Sequence, residues 1–362
     1  MAELFKDRLN HKSLSEIALA VQSVYKTFKV DEFLKSTMDE TWEKLELLAR
    51  GRKITMSLGK YLPADYSKAL VILEKAIAGH SSDFLNFCLP DFVEVFGQDK
   101  ENWDLSINAL EKNTENASSE LAVRPFIIKD EKRMMARMYV WSKHENEHIR
   151  RLASEGCRPA LPWAIGLTKY KKDPTPILPI LEQLKTDPSP YVRKSVANNL
   201  NDISKTHPDL VVKLAKKWYG KNEDTNWIVK HACRTLLKKG NRDVLAIFGL
   251  DDVASVDVDK FALGAKSVSI GKDITFSFVI FTKKAVKVRL EYGIDFVKSN
   301  GKRNRKIFQI SEISLKANEK KIYTKKHSFA DLSTRKHYPG IHSITLIVNG
   351  AERGTLDFKL NA

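Results

Sequence analysis

The chain has 362 residues, enough for two or three domains with cores of their own, and an ordinary hydrophobic fraction of 43%. Its charge is unusual: 61 basic against 45 acidic residues give a net of +16, which points to a polyanionic partner, nucleic acid or an anionic membrane surface. Three scattered cysteines (Cys88, Cys157, Cys233) argue against a disulfide framework or a zinc knuckle. The charged N-terminus lacks the apolar stretch of a signal peptide, and no apolar run nears the ~18 residues of a membrane span. A cytoplasmic protein in a reducing compartment, without membrane association, is the expectation.

Residues 1–255 read as amphipathic helices joined by short loops. In residues 39–48, Trp42, Leu45 and Leu48 share one helical face; Ala69, Leu70, Leu73 and Ile77 do so in the next segment. Glu120 follows Ser118 and Ser119, and its plain reading is a carboxylate in a first helical turn with Ser118 as cap. His144-Glu145-Asn146-Glu147-His148 matches the H-E-x-x-H pattern literally. Its residues are all polar, position 154 is Ser, and Asn146 reads better as a helix cap, so no metal is expected.

The helix carrying Arg150 and Arg151 ends at Glu155, where Gly156 stops it before Pro159, Pro162 and Trp163. A carboxylate at a helix C-terminus is disfavoured by about 0.3–1 kcal/mol. Two readings of Glu155 stay open: a functional group, or a surface pair with Arg151 or Arg158. Trp163 is either packed between repeats or exposed for stacking and cation–π contact. Trp103, Trp141 and Trp218 read as core, and Trp227, beside Asp224 and Asn226, as the exception. Asn198, Asn199, Asn201 and Asp202 form a polar cluster read mainly as a helix end.

The helical part repeats weakly. Val192 in Tyr191-Val-Arg-Lys-Ser-Val-Ala-Asn-Asn-Leu200 faces inward, with Arg193 and Lys194 outward; Ile149-Arg-Arg-Leu-Ala153 and Ile228-Val-Lys-His-Ala232 open in the same way. The spacing suits a HEAT-type α-solenoid whose concave, basic surface would wrap a phosphate backbone.

After residue 260 the apolar period becomes two. Ile274, Phe276, Phe278 and Ile280 alternate with polar residues, as do Val286, Val288 and Leu290. Further strands are expected near 306–314, 321–329, 342–348 and 355–360, about seven in all, as in an immunoglobulin-like β-sandwich. Residues 251–260, with four Asp and no clear period, read as a linker. The expected domains are residues 1–255 and 260–362. Residues 261–362 hold 20 basic and eight acidic residues, a net of +12, and Lys302, Arg303, Arg305 and Lys306 crowd an expected hairpin loop. That excess favours a polyanion-contacting domain. No Gly-rich phosphate loop, nucleophile elbow or kinase set is present.

Three segments, residues 120–125 (Glu-Leu-Ala-Val-Arg-Pro), 150–163 and 195–204 (Ser-Val-Ala-Asn-Asn-Leu-Asn-Asp-Ile-Ser), resemble the HEAT-like-repeat DNA alkylbase glycosylases of the AlkC/AlkD superfamily. The C-terminal sandwich resembles that of the AlkC branch. The resemblance implies a monofunctional glycosylase that excises cationic N3-alkylated bases, such as 3-methyladenine and 3-methylcytosine, from double-stranded DNA. It implies action as a monomer, without conventional base flipping and without a cofactor. Glu120, Glu155 and Trp163 would be catalytic, with Asp202 in support. Arg150, Arg151, Arg158, Arg193, Lys194, Trp227, Lys302, Arg303 and Arg305 would contact DNA. The AlkD branch uses an Asp with Trp partners, so two Glu depart from that relative. The alternative is a catalytically inactive HEAT-repeat protein that binds bent or branched nucleic acid.

Overall fold

The computed structural model describes residues 4–79, 83–332 and 335–362; the first three residues of the charged N-terminus lie outside it. Among the described residues, sixteen α-helices between His11 and Ile247 precede eight β-strands. Chain contacts define two compact units, residues 1–206 with 223–232, and residues 207–222 with 233–362.

In the first unit the three repeat openings are equivalent. The Pro190–Ile203 helix packs against both the Glu147–Glu155 and the Glu223–Ala232 helices. Ile149, Val192 and Ile228 are all buried at those contacts, as their shared helical phase requires. Pro190 takes the first position of its helix, where a missing N–H costs nothing. Asn146 caps the Glu147–Glu155 helix, its Oδ1 accepting from His148 N at 2.8 Å. The Tyr66–Gly79 helix buries Ala69, Leu70 and Leu73 as expected. Residues 39–48 differ from expectation. A short 3₁₀ turn, Trp42–Lys44, buries Trp42, and Leu45 is extended before the Leu47–Tyr61 helix begins. Leu48 is then exposed, because the break shifts the helical phase that would have aligned it with Trp42.

In the second unit the strands are β1 (Val256–Leu263), β2 (Ser267–Ser269), β3 (Asp273–Thr282), β4 (Val286–Val297), β5 (Arg303–Leu315), β6 (Lys320–Ser328), β7 (Gly340–Val348) and β8 (Ala351–Asn361). They form a three-stranded sheet, β1-β3-β6, and a five-stranded sheet, β2-β8-β7-β4-β5. Phe276, Phe278 and Ile280 from the first sheet share a core with Leu290, Ile294, Leu346 and Phe358 from the second. The segment read as a linker contains most of β1. Val256 and Val258 pair with Thr282 and Ile280 of β3 while Asp257 and Asp259 face solvent. The cation-rich hairpin also differs: its turn spans residues 298–302, and Arg303, Arg305 and Lys306 lie on β5 itself.

The β7–β8 turn, Asn349-Gly350, has positive φ at both residues, the two-residue hairpin geometry that favours this pair. Asn349 Nδ2 donates to Asp252 O at 3.0 Å, so the connecting segment is tied to the sandwich. A Cβ on Gly350 would lie 2.8 Å from Gly240 Cα. Gly350→Ala is expected to cost about 1–3 kcal/mol from strain and overlap together. A chemical-denaturation midpoint equal to that of the wild type would contradict this packing.

Candidate active site

Glu155 is the last residue of its helix and is buried. Gly156 is not a left-handed cap, since its φ is −61°. It is needed for close packing: a Cβ there would lie 2.6 Å from Val123 Cγ2. The unfavourable dipole at this helix end is met by Arg124, from the Val123–Lys129 helix, whose side chain is fully buried. Arg124 Nη1 donates to Gly156 O and Arg158 O, both at 2.9 Å, and Nε to Ile165 O at 2.6 Å. One guanidinium thus gathers the loop that follows the helix. Burial pulls its pKa down to about 10, which leaves it charged at neutral pH. Cys157 is no nucleophile, because burial pushes its thiol up to about 12.

The carboxylates are joined by arginines into one chain of alternating charge. Arg151 Nη1 lies 2.5 Å from Glu120 Oε2, and its Nη2 lies 3.7 Å from Glu155 Oε1. Arg158 Nη1 lies 2.5 Å from that same Glu155 oxygen, and its Nε lies 2.9 Å from Asp202 Oδ2. Lys205 closes the chain on Asp202 Oδ1 at 2.8 Å. Burial opposes the Arg158 charge, but Glu155 and Asp202 outweigh it and hold its pKa above the usual value. Both pairings weighed for Glu155 are therefore present, in a buried site rather than on the surface. Glu120 sits in the turn before the Val123–Lys129 helix, where Ser118 Oγ donates to its carboxylate at 3.0 Å. Ser118 caps no helix there, since Ala122 holds the cap position.

Asn198, Asn199, Asn201 and Asp202 lie in the last two turns of the Pro190–Ile203 helix, the helix end expected for them, and Asn199 Nδ2 donates across to Ser154 O at 2.7 Å. Their polarity ties two helices together.

Trp163 has φ +63° and is 82% exposed. With Glu120, Leu48, Phe87 and Ile165 it lines a cleft of about 550 Å³. Trp103, Trp141 and Trp218 are buried, whereas Trp227 is half-exposed and stacks on His231 with centroids 5.0 Å apart. Trp227, Arg193 and Lys194 line a second cleft of about 470 Å³.

The cations expected to hold phosphates divide into two groups. Arg150 binds Asp187 at 2.6 Å and the carbonyls of His144 and Glu145; Arg193 repeats this with Asp224 at 3.0 Å and the carbonyls of Asp187 and Pro188. Arg151 and Arg158 are engaged by the carboxylates above. Arg305 is held by Asp295 and Glu352, and Arg303 Nη1 donates to Ser343 Oγ at 2.9 Å. Lys194 and Lys302 extend into solvent. Sequence reasoning missed Arg124 and Tyr191, whose ring centroid lies 4.8 Å from Arg151 Cζ. Both stand in quoted motifs, but no spacing rule marks them. Among the described residues no cluster of three His, Cys, Asp or Glu could hold a metal, and no helix is long and apolar enough to cross a membrane.

A family model described as DNA alkylation repair enzyme matches residues 92–236, and one described as the C-terminal Ig-like domain of the uncharacterised protein YhaZ matches residues 257–362. The chain is 47% identical over 360 residues to the uncharacterized protein YhaZ of Bacillus subtilis (strain 168), covering 99% of this chain and 100% of that one. It also matches the Pseudomonas fluorescens alkylpurine DNA glycosylase AlkC, solved bound to DNA containing an abasic site analog. That match has a TM-score of 0.94 at 36% identity, over 99% of this chain and 100% of the other. With both relatives matched along nearly their whole length, the chain belongs to the DNA alkylation repair family, in the AlkC-like form that carries a YhaZ-type C-terminal Ig-like domain.

Proposed function

We propose that the protein is a monofunctional DNA glycosylase that hydrolyses the N-glycosidic bond of cationic N3-alkylated bases. The observation that carries this reading is the gathering of Glu120, Glu155 and Asp202, from three separate segments, into one ion-paired cluster, with an exposed Trp163 sharing a cleft with Glu120. In the reaction the C1′–N bond breaks and its electron pair neutralises the departing base. Positive charge develops on the sugar, which water attacks at C1′, losing a proton. An alkylated cationic base leaves readily, so the remaining task is to stabilise the sugar charge and place the water. Glu120 and Glu155 suit that task electrostatically. Asp202 supports Glu155 through their shared partner Arg158. Trp163 offers an aromatic face for stacking and cation–π contact.

On this reading Lys194, Trp227, Lys302 and Arg303 contact the DNA from outside the carboxylate cluster. The +12 balance of residues 261–362 supports a DNA-contacting sandwich. The likeness to a glycosylase solved with DNA supports the same assignment.

The test is direct: incubate the full-length protein with methylated duplex DNA and identify the bases released by chromatography. Release of 3-methyladenine and 3-methylcytosine, undiminished by EDTA, is expected. DNA binding without any release would favour the inactive nucleic-acid-binding alternative.

A further inference from the structure

Arg151 stands where a substrate cation would be stabilised. Its guanidinium is planar and positively charged. Glu120 lies 2.5 Å from one amino group and Glu155 3.7 Å from the other. The Tyr191 ring lies 4.8 Å from its central carbon, and Ser118 Oγ accepts from Nη1 at 2.9 Å. Two carboxylates, an aromatic face and a hydroxyl make a box for a planar cation, and in the free protein a side chain of the protein fills it.

The occupant conflicts with the proposed chemistry. A resident cation cancels the field of the carboxylates at the point where positive charge must develop. Glu155 keeps Arg158 as a second partner at 2.5 Å, and Asp202 keeps Arg158 and Lys205. Glu120 is ion-paired to Arg151, with Ser118 Oγ as a further neighbour. Withdrawal of Arg151 therefore bares Glu120 most, and the cluster as a whole gains one negative charge. A DNA phosphate is the anion best able to draw a guanidinium away, since it offers the bidentate geometry of a carboxylate.

We infer that Arg151 is an exchangeable counter-ion: in the free protein it occupies the cation box, and on DNA binding it passes to a backbone phosphate and exposes Glu120 and Glu155. The inference rests on the proposed glycosylase reading for what the exposed carboxylates then do. The exchange couples capture of the backbone to activation of the site. It also keeps two carboxylates from repelling DNA before contact.

The experiment compares the wild type with Arg151→Ala and Arg151→Lys, full length, with thermal melts to verify folding and Arg151→Gln as a second neutral variant. Duplex binding is followed by fluorescence anisotropy over a range of salt. The Ala and Gln variants should lose about one unit of salt slope, the mark of one phosphate contact, and Lys should retain it. Methylguanidinium at constant ionic strength should slow single-turnover excision by the Ala variant, because the free cation refills the box. An unchanged salt slope overturns the proposal, as does methylguanidinium restoring a slow Ala variant, which would make Arg151 a fixed strut. If the wild type releases no base, the glycosylase reading fails, and the salt slope still decides whether Arg151 moves to phosphate.

Discussion

Glu155→Gln is expected to slow single-turnover release of N3-methylated bases by at least about 10²-fold, the loss typical of removing one positioned electrostatic group. The substitution keeps shape and a hydrogen-bond acceptor for Arg158 while deleting the charge. Glu155 is buried, so no solvent screening softens the change. The neighbouring Arg158 then dominates, with Asp202 as its remaining carboxylate partner. A field built to favour positive charge turns against it. Duplex affinity should fall little or rise, since one negative charge is gone. Rates are compared on DNA carrying a single 3-methylated base with enzyme in excess. An unchanged rate would remove Glu155 from the chemistry.

Arg124→Met is the second large effect, and it acts on folding and activity together. The substitution leaves the Gly156, Arg158 and Ile165 carbonyls without their donor. Each unmet buried acceptor costs roughly 1–3 kcal/mol. Relief from burying a cation with no carboxylate partner offsets part of this. A net loss of about 2–4 kcal/mol is expected, a fall in Tm on the order of 5–15 °C. Arg124→Lys should not restore the wild type, because a single ammonium lacks the planar fork that reaches three carbonyls. Excision should fall further than stability explains, since the released loop carries Trp163. Thermal melts and single-turnover rates on the same preparations measure both. A melt within about 2 °C of the wild type would show that the carbonyls find other donors.

Some of this was legible in the sequence because it follows a period. The inward residues of the Glu147–Glu155 and Pro190–Ile203 helices obey helical spacing, and those of β3 and β4 obey alternation. β1 carries the same alternation, Val256-Asp257-Val258-Asp259, but its four-residue signal was hidden among acidic residues that resembled a linker. The break after Trp42 was unreadable because no Gly or Pro marks it. At the candidate site, Glu155 drew notice by standing at the wrong helix end, a local rule. The partners of each arginine obey no local rule. Arg158 reaches Asp202, 44 positions away, and Arg151 reaches Glu120, 31 positions back, so only the stacking of repeats decides them. Arginine-rich segments read as phosphate clamps from composition alone; folding commits several of those charges inside the protein first.

Trp163 carries a consequence of its own. An L-residue with a large side chain in left-handed backbone forgoes roughly 1–2 kcal/mol that glycine would keep, and an indole in water forgoes the burial that other tryptophans here obtain. At 82% exposure the side chain recovers little of either loss through burial. Stability and function therefore pull in opposite directions at residue 163. A lineage freed from acting on DNA would gain stability by replacing this side chain, whereas the core tryptophans would be retained for the fold alone. Within a set of homologous chains, a glycine or asparagine at this one position, with Trp141 and Trp218 intact, would be the mark of a repair enzyme that has become a scaffold.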